Sequence, residues 1–272
     1  MGKVIACVHE KGGVAKSTTV KNVSVGLVKA GKKVLVIDLD PSGNLTSFLG
    51  VGNTDSQGRG TICSILENIV DSGDCENFPE RFGIEKHVEG IDIITSSVHL
   101  HSVVAKMQST FQREVILKKY VSTIKEKYDY ILIDSPGGLE LLAINALFCA
   151  DELIIPLQPH MASVQAIQNL FVYISKVRKF NGTNRKPEIL GMLFVTVRVN
   201  TKNDTQIMTE LKKQYNDKIP FFKTFIPLTT KIPDSDTAMQ SIFKYAEKSS
   251  AGHAYKDLVD EILRLEEKAT VK

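Results

Sequence analysis

The chain has 272 residues, 43% of them hydrophobic, with 34 Lys and Arg against 31 Asp and Glu. That length holds one or two domains and can bury a large core without a disulfide or metal staple, and a net charge of +3 identifies no partner. The four cysteines (Cys7, Cys63, Cys75, Cys149) form no C-x-x-C and pair with no histidine at zinc spacing, as expected of reduced thiols in a cytoplasmic protein; no signal peptide is expected before the first strand, and no apolar run reaches the roughly 18 residues of a membrane span.

The apolar run Val4-Ile5-Ala6-Cys7-Val8 predicts a strand. It leads into Glu10-Lys11-Gly12-Gly13-Val14-Ala15-Lys16-Ser17-Thr18-Thr19, after which Val20, Val23, Leu27 and Val28 recur at helical spacing. Strand, glycine loop and helix is the order a phosphate-binding loop requires. Glycines let backbone N–H groups close around phosphate oxygens, and the helix start adds unpaired donors and the positive end of a dipole. Lys16 is placed to reach terminal phosphates and the Ser17 hydroxyl to ligate magnesium. The loop departs from G-x-x-x-x-G-K-[ST] at both glycines, with Glu10 at the first and Ala15 at the last. Ala15 is expected to hold a negative φ.

Val34-Leu35-Val36-Ile37 is a continuous apolar run, the pattern of a parallel strand buried on both faces. Asp38 and Asp40 follow at its C-terminal end, where open α/β sheets bind ligands. Residues 52–60 read as a loop and Thr61 to Val70 as a short helix. His87, His99 and His101 have no carboxylate or cysteine to complete a metal site, so solvated or hydrogen-bonded roles are expected, and the 99/101 spacing suits a strand. Ile91 to Thr95 predicts a strand and residues 112–127 a helix. Tyr128 to Asp134 is an apolar strand ending in an acid that can hold the magnesium shell; Gly137-Gly138 lets the backbone approach a γ-phosphate. A helix over Leu139–Cys149 and a strand over residues 151–159 follow, with Gln158 either facing the site or bonding its own loop. Then come a helix over 163–180, a strand over Ile189–Val197, a helix over Thr205–Tyr215, a last strand over Phe221–Pro227 and a C-terminal helix over Ala254–Glu267. Strands alternating with helices predict one α/β domain spanning residues 1–272, a doubly wound, mostly parallel sheet with helices on both faces.

Charge is uneven. From Phe171 to Lys223 eleven Lys or Arg (176, 178, 179, 185, 186, 198, 202, 212, 213, 218 and 223) face four acids. This is either a solvated face or a surface for DNA phosphates, whose hallmark is steep salt dependence. The tail from Lys256 to Glu267 carries five acids and two bases, the wrong balance for a helix lying on anionic lipid.

With its second lysine, Lys11, the loop resembles the K-G-G-x-x-K-[ST] loop of the ParA/MinD class of P-loop ATPases. Asp38-Leu39-Asp40-Pro41-Ser42-Gly43-Asn44 resembles the family's D-x-D-P-Q-G-N, with Ser42 for Gln. Tyr128 to Pro136 resembles Y-D-x-I-[IL]-I-D-x-P-P, with Gly137 for the second proline, and Ile144 to Gln158 resembles I-N-A-L-x-x-A-D-x-[VI]-I-I-P-x-Q-P. The resemblance covers nearly the whole chain, in family order, and points to the ParA/Soj branch without a helix-turn-helix ahead of the nucleotide domain. It implies ATP and Mg²⁺ as cofactors. Lys11, Gly12, Gly13, Val14, Ala15, Lys16, Ser17 and Thr18 would cradle the triphosphate, and Pro227 would lie near the adenine. Ser17, Asp38 and Asp134 would hold the metal shell, Asp40 would orient the attacking water, and Lys11 would reach across a dimer. It further implies an ATP-dependent homodimer that binds double-stranded DNA non-specifically, associates with the nucleoid, and hydrolyses ATP slowly until a ParB-like centromere-binding protein stimulates it, so partitioning plasmid or chromosomal DNA. The family's Arg-Thr-Arg after the strand Ile189–Val197 is Asn200-Thr201-Lys202 here. The alternatives are a MinD-like positioning ATPase at a membrane and a metabolic P-loop enzyme of the same superfamily.

Overall fold

The apolar runs that end in acids become neighbouring strands at the middle of one sheet. A computed structural model describes residues 2–52, 60–74, 78–79, 81–160, 163–181, 186–199, 201–215 and 219–270. Among them β1 (Lys3–Cys7), β2 (Val34–Asp38), β3 (Glu85–Lys86), β4 (Asp92–Ile94), β5 (Tyr130–Asp134), β6 (Glu152–Leu157) and β7 (Glu188–Phe194) form a sheet of order β3-β4-β2-β5-β1-β6-β7. Every pairing is parallel except the edge pair β3–β4.

Side chains alternate across this sheet. Val4, Ala6, Leu35, Ile37, Ile131 and Ile133 enter one core, while Ile5, Cys7, Val34, Val36, Tyr130 and Leu132 enter the other. The second core is covered by α1 (Lys16–Lys29), with the short α2 (Asn44–Phe48) beside it. The first is covered by α3 (Ile62–Ser72), α4 (Leu100–Met107), α5 (Ile116–Ile124), α6 (Leu141–Cys149), α7 (Ser163–Phe180) and α8 (Lys202–Tyr215). After α9 (Lys231–Thr237) and α10 (Ile242–Tyr245), α11 (Ser250–Thr270) returns to the α1 side. Ala251, Tyr255, Leu258, Val259 and Ile262 of α11 are buried there, so the acidic tail is a core element. No helix of the described residues is long and apolar enough to cross a membrane.

Two expectations change. His99 and His101 belong to a helix, His99 at the N-cap of α4 and His101 in its first turn. The segment Phe221–Pro227 lies alongside β7 as an eighth strand would, but makes only two bridges, Met192 to Phe221 and Val197 to Pro227. The cause is a tertiary contact: the N–H groups of Lys223 and Thr224 donate to the Glu261 carboxylate of α11, at 2.8 and 3.1 Å, and are lost to a ladder. The antiparallel β3 and the helices α2, α4, α9 and α10 were not anticipated. Residues 53–59 of the predicted loop, with Cys75, Arg185, Asn200 and Lys218, lie outside the described residues.

The register sets up the site. Asp38 pairs with Asp134, and Asp134 with Cys7, so the ends of β2, β5 and β1 form one row beneath the loop leading to α1.

Candidate active site

Between β1 and α1 the chain makes the turn that the glycines announce. Gly13 has φ 73°, which glycine adopts freely. Ala15 has φ 58° and ψ 34°, the left-handed region, and is the N-cap of α1. The expected negative φ is therefore wrong: the turn requires the left-handed conformation, and alanine bears the strain. Helix α1 starts with no side-chain cap and no acid in its first turn, so its first N–H groups face an anion site with no internal competitor. Gly137 closes the loop from the other side; a Cβ there would meet the Gly12 nitrogen at 3.1 Å. A side chain at that place would press on the loop backbone, where the family's second proline is replaced by glycine.

The two lysines diverge. Lys16 is 7% exposed and its Nζ donates to the Lys11 carbonyl at 3.3 Å. Lys11, Gly12 and Gly13 are exposed. Lys11 N–H donates to His9 Nδ1 at 2.9 Å, and the Gly138 N–H to the Glu10 carbonyl at 2.6 Å. Asn169 Nδ2 of α7 donates to both Glu10 carboxylate oxygens, at 3.1 and 3.0 Å. His9 is 1% exposed, and burial followed by the Lys16 charge lowers its pKa to about 4. Gln158 reaches the loop, its Nε2 donating to the Gly13 carbonyl at 3.4 Å.

The three aspartates do different work. Asp38 is buried and already engaged: its carboxylate accepts from Thr46 N–H (2.9 Å), Thr46 Oγ1 (2.7 Å) and Asp40 N–H (3.1 Å). Burial raises its pKa to about 6 against those bonds. Asp40 is half-buried, and its Oδ1 accepts from the Ser42 N–H and hydroxyl at 2.9 and 2.8 Å, so Ser42 steadies the acid it follows. Asp134 is fully buried, and neither of its oxygens has a well-formed hydrogen bond among the described residues. Burial first, then the Asp38 charge, drive its pKa well above the usual range, outweighing the nearby Ser17 hydroxyl and Lys16.

An orphaned buried carboxylate beside a hydroxyl and a second carboxylate fits a small divalent cation. Mg²⁺ takes one or two protein oxygens and completes its octahedron with water and phosphate. Ser17 and Asp134 are the residues able to hold it; Asp38 lies alongside but spends its oxygens on the turn into α2.

Pro227 stands apart. It is buried at the bridge to Val197 and lines a cleft of about 750 Å³ with Val199, Phe225 and one face of α11 from Ser250 to Lys268. Three strand positions separate it from β1, about 14 Å at the usual spacing, so it joins the loop only through an extended ligand. Two functional features escaped the sequence reading. Asn169 lies 159 residues from Glu10, and no local signal marks it. Lys21 is fully buried and pairs with Asp236 at 2.5 Å, also donating to the Gln240 carbonyl at 2.8 Å. A lysine amid a helix buried on every side was the available signal, because such a charge needs a partner.

A parallel sheet with a glycine loop between its central strand and a buried helix, and an acid ending the next strand, is the plan of a P-loop ATPase. Residues 2–189 match the AAA domain family. The sporulation initiation inhibitor protein Soj of Bacillus subtilis is 33% identical, over 96% of this chain and 98% of its own. The chromosome-partitioning ATPase Soj of Treponema pallidum is 29% identical, over 97% and 98%. A solved structure of cobyrinic acid a,c-diamide synthase from Mycobacterium smegmatis, with bound ADP and magnesium, superimposes with a TM-score of 0.82 at 26% identity, over 99% of this chain and 97% of that one. The chain belongs to the AAA domain family, in its ParA/Soj branch of partition ATPases.

Proposed function

We propose that the chain binds ATP with Mg²⁺ and uses the nucleotide as the joint of a homodimer that partitions DNA. The observation that carries this reading is the opposite placement of the two loop lysines: Lys16 is buried over its own loop and Lys11 is exposed. Lys16 serves the chain's own phosphates, and Lys11 is placed to serve those of a second copy. The backbone from Gly12 to Thr18 supplies N–H donors to the triphosphate. Ser17 and Asp134 would hold the magnesium, which when bound would supply charge neutralisation at the terminal phosphates. Asp40, steadied by Ser42, orients the attacking water; Asp38 fixes the turn that carries Asp40 and adds negative charge behind the metal shell. Pro227 flanks the base. Loss of the γ-phosphate removes what Lys11 holds, and the dimer parts.

Exposed Lys176, Lys179, Lys202, Lys213 and Lys223 offer a sequence-independent surface for DNA phosphates. Arg198 is committed to Asp204 and Lys186 to Asp151, so the surface is smaller than the charge count suggests. A ParB-like centromere-binding protein would be the partner that stimulates hydrolysis. The burial of α11 supports partitioning over a MinD-like role at a membrane. The test is binding to unrelated DNA duplexes with ATP, ADP and a non-hydrolysed analogue at low and high salt. Binding that needs ATP and falls steeply with salt is expected; absence of binding in every state overturns the DNA role.

A further inference from the structure

We infer that Lys21 is a positioning residue of the nucleotide site: it neutralises Asp236, whose carboxylate the fold carries to within one hydroxyl of the phosphate-binding end of α1, and so lets that end accept an anion. The inference rests on the nucleotide reading above, and on neither the dimer nor DNA.

Thr18, Lys21 and Asn22 are buried on one side of α1, Lys21 and Asn22 standing three and four residues after Thr18. That side meets α9 and α10. Thr18 Oγ1 donates to Asp236 Oδ2 at 3.4 Å, and Lys21 Nζ to Asp236 Oδ1 at 2.5 Å. Lys21 Nζ also donates to the Gln240 carbonyl at 2.8 Å, while Asn22 Oδ1 accepts from the Ile242 N–H at 2.7 Å. The Thr19 N–H donates to the Ala15 carbonyl at 2.9 Å, so the N–H groups ahead of it, that of Thr18 included, stand at the open start of the helix. Asp236 is thus bound to the side chain of a residue whose backbone faces the phosphates. The Thr18 hydroxyl is spent on that bond, and Thr18 serves the nucleotide through its N–H.

A carboxylate in that place opposes the site. Like charges repel strongly where water is scarce, and a phosphate depends on the positive end of the helix. The Lys21 ammonium removes the conflict. It is fully buried; burial lowers its pKa, and the Asp236 charge pulls it back up. The other acid near it, Glu89, is held by the Ser241 N–H and hydroxyl at 2.9 and 2.5 Å. An ion pair whose only task was to join α1 to α9 could be exchanged for apolar side chains without loss, and Asn22 already ties α1 to the start of α10.

The experiment compares Lys21→Met, Asp236→Asn and the double variant with the unaltered protein, each well below its own melting temperature. Affinities for ADP and AMP are measured by titration at low salt, without magnesium so that ADP carries its full charge. Lys21→Met leaves the carboxylate unbalanced and should weaken ADP binding about tenfold, and AMP binding less, because AMP carries less charge. Asp236→Asn leaves the ammonium unbalanced. It should bind ADP at least as tightly as the unaltered protein, and up to about tenfold tighter, although its fold is weakened. The double variant should return to within about threefold of the unaltered protein. A joint that was only structural would behave otherwise: both single variants disturb it, and both would weaken ADP and AMP binding alike. Weaker ADP binding in Asp236→Asn, or a loss in Lys21→Met that the double variant keeps, overturns the charge role. Where one single variant does not fold, the other set against the double variant decides. If the unaltered protein binds no ADP, the nucleotide reading falls and the charge role falls with it.

Discussion

Two buried polar clusters lie within the first two turns of α1, and the fold treats them in opposite ways. Around its start, among the described residues, Asp134 has no well-formed hydrogen bond and His9 Nε2 has no partner, and Ala15 sits in the left-handed region. One turn later Lys21, equally buried, meets Asp236, the Gln240 carbonyl and, at 3.5 Å, the Ser235 hydroxyl. Asn22 beside it bonds the Thr18 carbonyl at 2.9 Å and the Ile242 N–H at 2.7 Å. The buried Lys21 of α1 is therefore satisfied, while the buried acid at the end of β5 beneath the helix start is left open among the described residues. Unsatisfied groups gathered at a helix start, with satisfied ones beside them, mark the place where a ligand completes the structure.

The paired cluster gives the largest expected effect. Asp236→Ala strands the Lys21 ammonium and should cost about 3–5 kcal/mol of unfolding free energy. Replacing both partners with apolar residues of similar size should cost far less. Denaturant unfolding of the single and double variants measures both. A loss below about 1 kcal/mol for Asp236→Ala, the level of an exposed pair, would break the contrast between the clusters.

The open cluster responds to pH through His9. Its folded pKa of about 4 lies below the ordinary 6.5 because the buried ring resists protonation. Between those values the unfolded chain binds the proton and the folded chain does not. The His9 contribution is thus fully present above pH 6.5 and is lost as pH falls toward 4, by roughly 3 kcal/mol in all. His9→Asn removes this titration. Denaturant midpoints for both proteins at pH 7, 5.5 and 4.5 should converge or cross on acidification; parallel profiles would show that the ring is not held neutral.

Much of the open cluster was legible in sequence because it is local. Asp38, Asp40 and Asp134 announce themselves as acids closing apolar runs, and parallel register alone brings Asp38 and Asp134 together. The different employment of the two was not legible, since it depends on Thr46, eight residues past Asp38 and without a motif of its own. The paired cluster was hidden because Lys21 and Asp236 are 215 residues apart. Phe221–Pro227 reads as a strand by composition, and only the distant Glu261 carboxylate shows why its ladder fails. Ala15 misled for a different reason: the left-handed turn is set by the loop's closure against Gly137 and Gly138, and residue type gives the wrong φ.

Asp134→Asn tests the open charge directly. The amide carries no charge to desolvate and no repulsion from Asp38, so the nucleotide-free protein should gain about 1–3 kcal/mol at pH 7. ATP hydrolysis should fall to background in the same variant, because the metal shell loses its carboxylate. Thermal unfolding and phosphate release report the two sides. A variant less stable than the unaltered protein would mean that Asp134 is already satisfied without a ligand.

Ala15→Gly gives the smallest effect and the finest separation of strain from function. Left-handed backbone costs an alanine about 1–2 kcal/mol, and glycine returns about 0.5–1 kcal/mol of that through the freedom it adds to the unfolded chain. A net gain of up to about 1 kcal/mol is expected. Gln112 provides the control, because it holds the same strain at φ 56° away from the loop. Gln112→Gly should stabilise by a similar amount and leave nucleotide affinity alone. Ala15→Gly should stabilise and also shift nucleotide affinity, since Ala15 sets how the first N–H groups of α1 face the phosphates. If the two substitutions changed affinity alike, the strain at Ala15 would belong to the turn and not to the site.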